Sequence, residues 1–335
     1  MAQEKPSGYT ALLPALLGAG ISVFFIQSGF LGILFLVPLG FIGYGWGPRI
    51  LWQGTVFFFL GNCFLTLGTG LAFKVPFGTM AWDILFFIVM AGAFAWIILP
   101  PGEYGSRIPG AYRLALGASL CALISAGLFF RIINTPAFYE NIMGQIEALA
   151  ALYGSTGDEG TRNNIFESLN IDVVLEYLKN IMIRGGALIS SIIILFASRQ
   201  ISIFLVGLFG GKRRSNVFMN FYMDHRFIWI FGFSLLLLTM ASLFRWTGPS
   251  IILWNIVTLC SMMYVAQGWG ILKFFLTKPK VPSFMRFFLP VLVVFLLFSP
   301  GINMVVFGII LLLGIAENWV SLRTPINGSP STPGA

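Results

Sequence analysis

At 335 residues, 57% of them hydrophobic and only 10% charged, the chain has far less charge than the ~25% of a soluble domain. Lipid is therefore the solvent its surface requires. A transmembrane β-barrel is excluded because the apolar runs are continuous rather than alternating. The net charge of +8 points to cytoplasmic loops and anionic lipid, not to nucleic acid.

The 35 Phe and nine Trp suit acyl chains and interfacial belts. No zinc-ligand spacing, P-loop, nucleophile elbow or dinucleotide fingerprint is present, so no metal, cofactor or catalytic residue is assigned. His225 is the single histidine, and Cys63, Cys121 and Cys260 stand singly within apolar stretches, as buried residues do. The N-terminus lacks a basic segment with a nearby small-residue cleavage site, and its first helix is expected to be retained.

In chain order the apolar segments are 9–27, 31–46 after the break Ser28-Gly29, 51–73, 82–99 and 112–130. Pro100-Pro101-Gly102 stops the fourth, since proline supplies no amide to the helical ladder. A hydrophilic insert follows at 131–184, with seven acidic residues against four basic ones. Its ends, 137–153 and 165–181, have amphipathic helical spacing around the turn 154–160. The later segments are 185–209, 227–244, 250–272 and 287–320. The last is interrupted at Ser299-Pro300-Gly301 into a short ninth and a tenth span, or one kinked span. The tail 324–335 is polar and rich in Pro, Gly and Ser, a composition of disorder.

The expected architecture is an all-α polytopic transmembrane bundle of about nine or ten helices. It comprises spans 1–5 in 1–130, an extracytoplasmic helical insert at 131–184, spans 6–10 in 185–323, and the tail. With both termini cytoplasmic, thirteen of the twenty Lys and Arg lie on the inner side and six outside, with Arg199 left within a span. The positive-inside rule favours that orientation, in a bacterial inner membrane.

Ionised or amide side chains inside spans mark candidate sites, because a charge at the bilayer centre costs about 2.5–3.5 kcal/mol on insertion scales. Arg199, with Gln200 and nearby Ser190, Ser191 and Ser198, is the foremost. The alternative is an arginine that snorkels to the headgroups or pairs structurally. Glu317 closes the last helix, where it would pair with Arg199, touch a solute, or simply sit at the interface beside Trp319. Asn255, Gln267 and Asn303 complete the substrate-binding candidates, interhelical hydrogen bonds being the plainer reading of each. Breaks at Ser28-Gly29 with Pro38, and at Ser299-Pro300-Gly301, are similar to the discontinuous helices of transporters, and ordinary tight hairpins explain them equally well.

Four features carry a family resemblance: 35–44 (Phe-Leu-Val-Pro-Leu-Gly-Phe-Ile-Gly-Tyr), the insert between spans five and six, the run 216–229, and the ending Gly314-Ile-Ala-Glu-Asn-Trp-Val-Ser-Leu-Arg323. Together the chain resembles the YybS-like bacterial multi-pass membrane family, domain of unknown function 2232. Asp224-His225-Arg226 stands where that family usually has a proline. The family is similar in hydropathy to the substrate-binding subunits of energy-coupling-factor transporters, which implies a small-solute role beside a separate energising partner. The resemblance carries over no site residues. Three readings stay open: transport-related solute binding without an ATPase of its own, an envelope-assembly scaffold, and an enzyme acting on lipid-linked substrates.

Overall fold

The computed structural model describes residues 8–99, 108, 110–154, 171–209, 221–279 and 281–323. Outside these lie the Pro100-Pro101-Gly102 stop, most of the turn 154–160, the first part of the 165–181 helix, the basic run Lys212-Arg213-Arg214 and the tail 324–335. Among the described residues the regular structure is helical throughout, with no strand. Five helices there are long and apolar enough to cross a membrane, and five further apolar helices are shorter. Large apolar side chains such as Phe64, Leu123, Phe233, Phe295 and Met304 point outward, as lipid-facing residues do. The chain is an all-α polytopic membrane bundle.

It divides into two compact units, Met1–Arg214 and Ser215–Ala335. In the first, α1 (Gly8–Gln27) ends where Gly29 takes φ 67°, and a 3-10 turn (Phe30–Leu34) leads into the short α2 (Leu36–Trp46). At about 1.5 Å per residue, eleven residues cover only half of a ~30 Å hydrocarbon core, so α2 needs the 3-10 turn to complete its span. Gly47 at φ 102° turns the chain into α3 (Pro48–Ala72), which begins on proline, where a missing amide costs nothing. Then come α4 (Phe77–Ile98), α5 (Gly110–Ile133) and, past an exposed corner, α6 (Pro136–Gly154). After the undescribed stretch, α7 (Ile171–Ile181) passes through a π-helical turn (Met182–Gly186) into α8 (Ala187–Leu208). Gly185 there has φ 115°, a conformation that only glycine takes without strain.

Within this unit α3 lies along α1 and against α4, and α4 packs on α5. Helix α8 packs on α2 and α5, so the sixth apolar span shares a core with the five before it. Phe35 stacks on Phe58 (5.7 Å) and meets Phe87 edge-on (5.4 Å). Gly40 lets α2 approach α8 closely at Ser202, whose Oγ lies 3.0 Å from Val37 O and 2.7 Å from Ser198 O.

In the second unit a non-helical segment from Phe221 leads to α9 (Phe227–Leu243), α10 (Thr247–Thr277), α11 (Ser283–Phe298) and α12 (Ile302–Ala316). The break between α11 and α12 falls at Ser299-Pro300-Gly301, with Gly301 at φ 85°. Helix α10 packs against α9 and α12. Its crossing with α12 is a backbone-to-backbone contact: Gly268 faces the Ile310 carbonyl, and Gly314 faces that of Tyr264. Small residues at such crossings replace the hydrophobic drive that lipid cannot supply.

Candidate functional site

The six candidate residues fall in both units, and those of the second are engaged by the protein itself. Gln267 is fully buried; its Oε1 accepts from the Met223 amide at 2.9 Å and its Nε2 donates to Gly314 O at 3.1 Å. Glu317, also buried, receives the Arg323 Nε at 2.6 Å and pairs with its Nη2. The same Nη2 donates to Phe221 O at 2.8 Å. Gln267 and Glu317 thus tie the 221–223 segment to α10 and to the end of α12. Asn255 donates to Ile251 O of its own helix at 2.9 Å, and Asn303 accepts from the Met304 amide at 2.8 Å. This arrangement holds a fold together.

The first unit is different. Arg199 is buried on α8 with Gln200 half-buried beside it. Arg113, which counts among the inner-side basic residues at the start of the 112–130 span, is buried as well, three residues into α5. One corner of its guanidinium is occupied: Nη1 donates to Trp96 O (2.8 Å) and Leu99 O (2.7 Å), the open carbonyls at the end of α4. The charges of Arg113 and Arg199 stand close enough to repel one another. Asp83, the acid within α4, shares its field with Arg131 instead. It lies about 20 Å along the helix from Trp96 at 1.5 Å per residue.

Most of the buried side-chain polar atoms without a hydrogen-bond partner among the described residues lie in this unit, with Asn318 Oδ1 an instance in the second. Arg113 Nε on α5 and the Ser198 Oγ, next to Arg199 on α8, form one set. Ser22 Oγ on α1 and both amide atoms of Asn62 on α3 form a second set. Glycine contacts fix the register of these two helices: Gly54 stands beside Ala15 and Gly61 beside Val23, so they run parallel and bring Ser22 and Asn62 to one level. Such an atom normally costs about 1–3 kcal/mol. Arg113 was missed because its position just after a loop is that of an ordinary cytoplasmic basic residue. Only its flanks, Tyr112 and Leu114 inside an apolar run, hinted otherwise.

The arginine pair lies toward the start of α5, whereas the 131–184 insert follows its other end. The polar atoms near Arg199 are therefore not gathered beneath the insert. Among the described residues no three His, Cys, Asp or Glu side chains come together as metal ligands do.

Residues 110–315 match the family described as "Predicted membrane protein (DUF2232)". No curated protein and no solved structure matches the chain.

Proposed function

We propose, from the premise that the chain belongs to this DUF2232 family of predicted membrane proteins, that it is a transport-related protein binding a small solute within its first unit. The observation that supports this is the set of buried, unengaged polar atoms in the first unit. The buried Gln267 and Glu317 are bound by the protein's own groups, whereas Asn62, Ser22, Ser198 and the Arg113 Nε retain unused hydrogen-bonding capacity inside lipid-spanning helices. Hydrocarbon satisfies none of it, and a polar guest does. The discontinuous α1–α2 passage adds the broken-helix geometry that transporters use at a solute.

In this reading the protein sits in a bacterial inner membrane with both termini cytoplasmic and the 131–184 insert outside. Energy comes from a separate partner, since no nucleotide-binding motif occurs in the sequence. The test is thermal unfolding of the detergent-purified chain against vitamins, metal ions, nucleobases and lipid precursors, followed by uptake into proteoliposomes. Stabilisation by a polar solute that is also taken up supports the proposal; an unchanged melting curve across the library rejects it.

A second reading, an envelope scaffold, draws on α6 and α7. Tyr139, Met143, Val173 and Tyr177 are exposed there. Pull-down of a stable complex that is lost on truncating the insert supports it.

A further inference from the structure

We infer that Arg113, Arg199 and Ser198 form an oxyanion site, taking the phosphate or carboxylate group of a solute or a lipid headgroup. The inference rests on the solute-binding reading above and adds the class and the place.

Three helices converge on the site. α5 and α8 pack on one another and contribute Arg113, Ser198 and Arg199, while the end of α4 anchors Arg113 through Trp96 O and Leu99 O. That anchor orients the guanidinium plane and leaves Nε, a donor on its long edge, buried without a protein partner among the described residues. A guanidinium edge of this kind grips two oxygens of one group at once. The Ser198 hydroxyl, next to Arg199 on α8, is a further donor, equally buried and equally unengaged among the described residues. Two positive charges brought together inside an apolar helix bundle repel, and an anion between them turns that repulsion into attraction.

The depth suits a ligand entering from the α4–α5 end. Arg113 lies within the first turn of α5, and Arg199 stands nine residues before the end of α8, about 13 Å at 1.5 Å per residue. Neutral solutes have no reason to prefer this end of the unit to the Ser22–Asn62 level.

The experiment is calorimetric titration of the full-length, detergent-purified chain with inorganic phosphate. In parallel, phospholipid retained after exchange into neutral detergent, and rebinding from phosphatidylglycerol nanodiscs, is measured by native mass spectrometry. The variants are Arg113→Gln, Arg199→Gln, Ser198→Ala and the charge-keeping Arg199→Lys, with Arg131→Gln as control. Phosphate binding that weakens about tenfold or more in both Gln variants, and less in Arg199→Lys, supports a free oxyanion. Tightly retained phosphatidylglycerol that both Gln variants release supports a headgroup. Wild-type protein that holds neither, or variants that melt normally and bind as before, overturns the inference. If a neutral solute stabilises the protein while phosphate and phosphatidylglycerol do not, the solute-binding reading stands and this inference falls. If nothing binds, both fall. Should the Gln variants not fold, Ser198→Ala and Arg199→Lys carry the same comparison.

Discussion

Arg323 grips Glu317 with two nitrogens, Nε to Oε1 at 2.6 Å and Nη2 to Oε2, and spends the same Nη2 on the Phe221 carbonyl. One guanidinium thus fastens the end of α12 to the chain that leads into α9. Both side chains are largely withdrawn from solvent, so removing one partner strands the other. Glu317→Ala is expected to destabilise the protein by about 3 kcal/mol. The double variant Glu317→Leu/Arg323→Met is expected to recover most of that, since an apolar pair leaves no stranded charge. Thermal unfolding in detergent reads both, and a Glu317→Ala variant that melts like the wild type sinks the assignment.

Gln267 performs a parallel task with neutral groups, joining the Met223 amide to Gly314 O. Gln267→Met keeps the bulk and removes both bonds, leaving a buried N–H and C=O unpaired at a cost of about 2 kcal/mol. The expected local effect is faster hydrogen exchange at the Met223 amide, while amides in the middle of α9 keep their protection. Uniformly faster exchange across α9 goes against a local tie.

The helices were legible because each apolar run is long, continuous and closed by a real breaker. Gly29 and Gly301 take positive φ where the sequence shows Ser28-Gly29 and Ser299-Pro300-Gly301. A glycine such as Gly185 serves either close packing or a positive φ, and here it takes φ 115° in the π-helical turn between α7 and α8. A lone glycine does not say which of the two it serves. The partners of buried polar groups were least legible. Gln267 reaches 44 positions to Met223 and 47 to Gly314, distances that no local pattern encodes. Arg113 counted only as an inner-side charge at the start of its span, because only packing shows that it turns inward to cap α4.

The α10–α12 crossing makes a sharp claim about two glycines. A methyl at Gly268 meets the Ile310 carbonyl, and one at Gly314 meets that of Tyr264, both rigid backbone. Gly268→Ala and Gly314→Ala are each expected to destabilise by about 2 kcal/mol, in the range for overpacking. Gly232→Ala and Gly308→Ala find open space and are expected to be neutral or to stabilise by up to about 1 kcal/mol. Equal melting temperatures for the two pairs rule out the close crossing.

The proposed orientation is open to labelling. In a variant with Cys63, Cys121 and Cys260 replaced by Ala, Met143→Cys on α6 is expected to react with a membrane-impermeant maleimide in intact cells. Thr277→Cys at the end of α10 is expected to react only after permeabilisation. Both positions are exposed, so access is set by the side of the membrane. The opposite pattern inverts the protein and moves the basic loops outside, against the charge bias.

Asn62 separates a binding group from a structural one. Its amide is almost completely buried on α3, level with Ser22, and neither of its polar atoms meets a protein partner among the described residues. If a solute is what completes it, the empty protein carries the cost of an unsatisfied amide, and an apolar residue of similar volume relieves that cost. Asn62→Leu is then expected to raise the melting temperature without solute, by an amount corresponding to about 1–3 kcal/mol, and to abolish solute-dependent stabilisation. A structural amide behaves the other way, because replacing it breaks bonds that hold α3 in place. Melting curves of Asn62→Leu with and without the stabilising solute decide between them, and a variant that is less stable yet still responds to the solute removes Asn62 from the site.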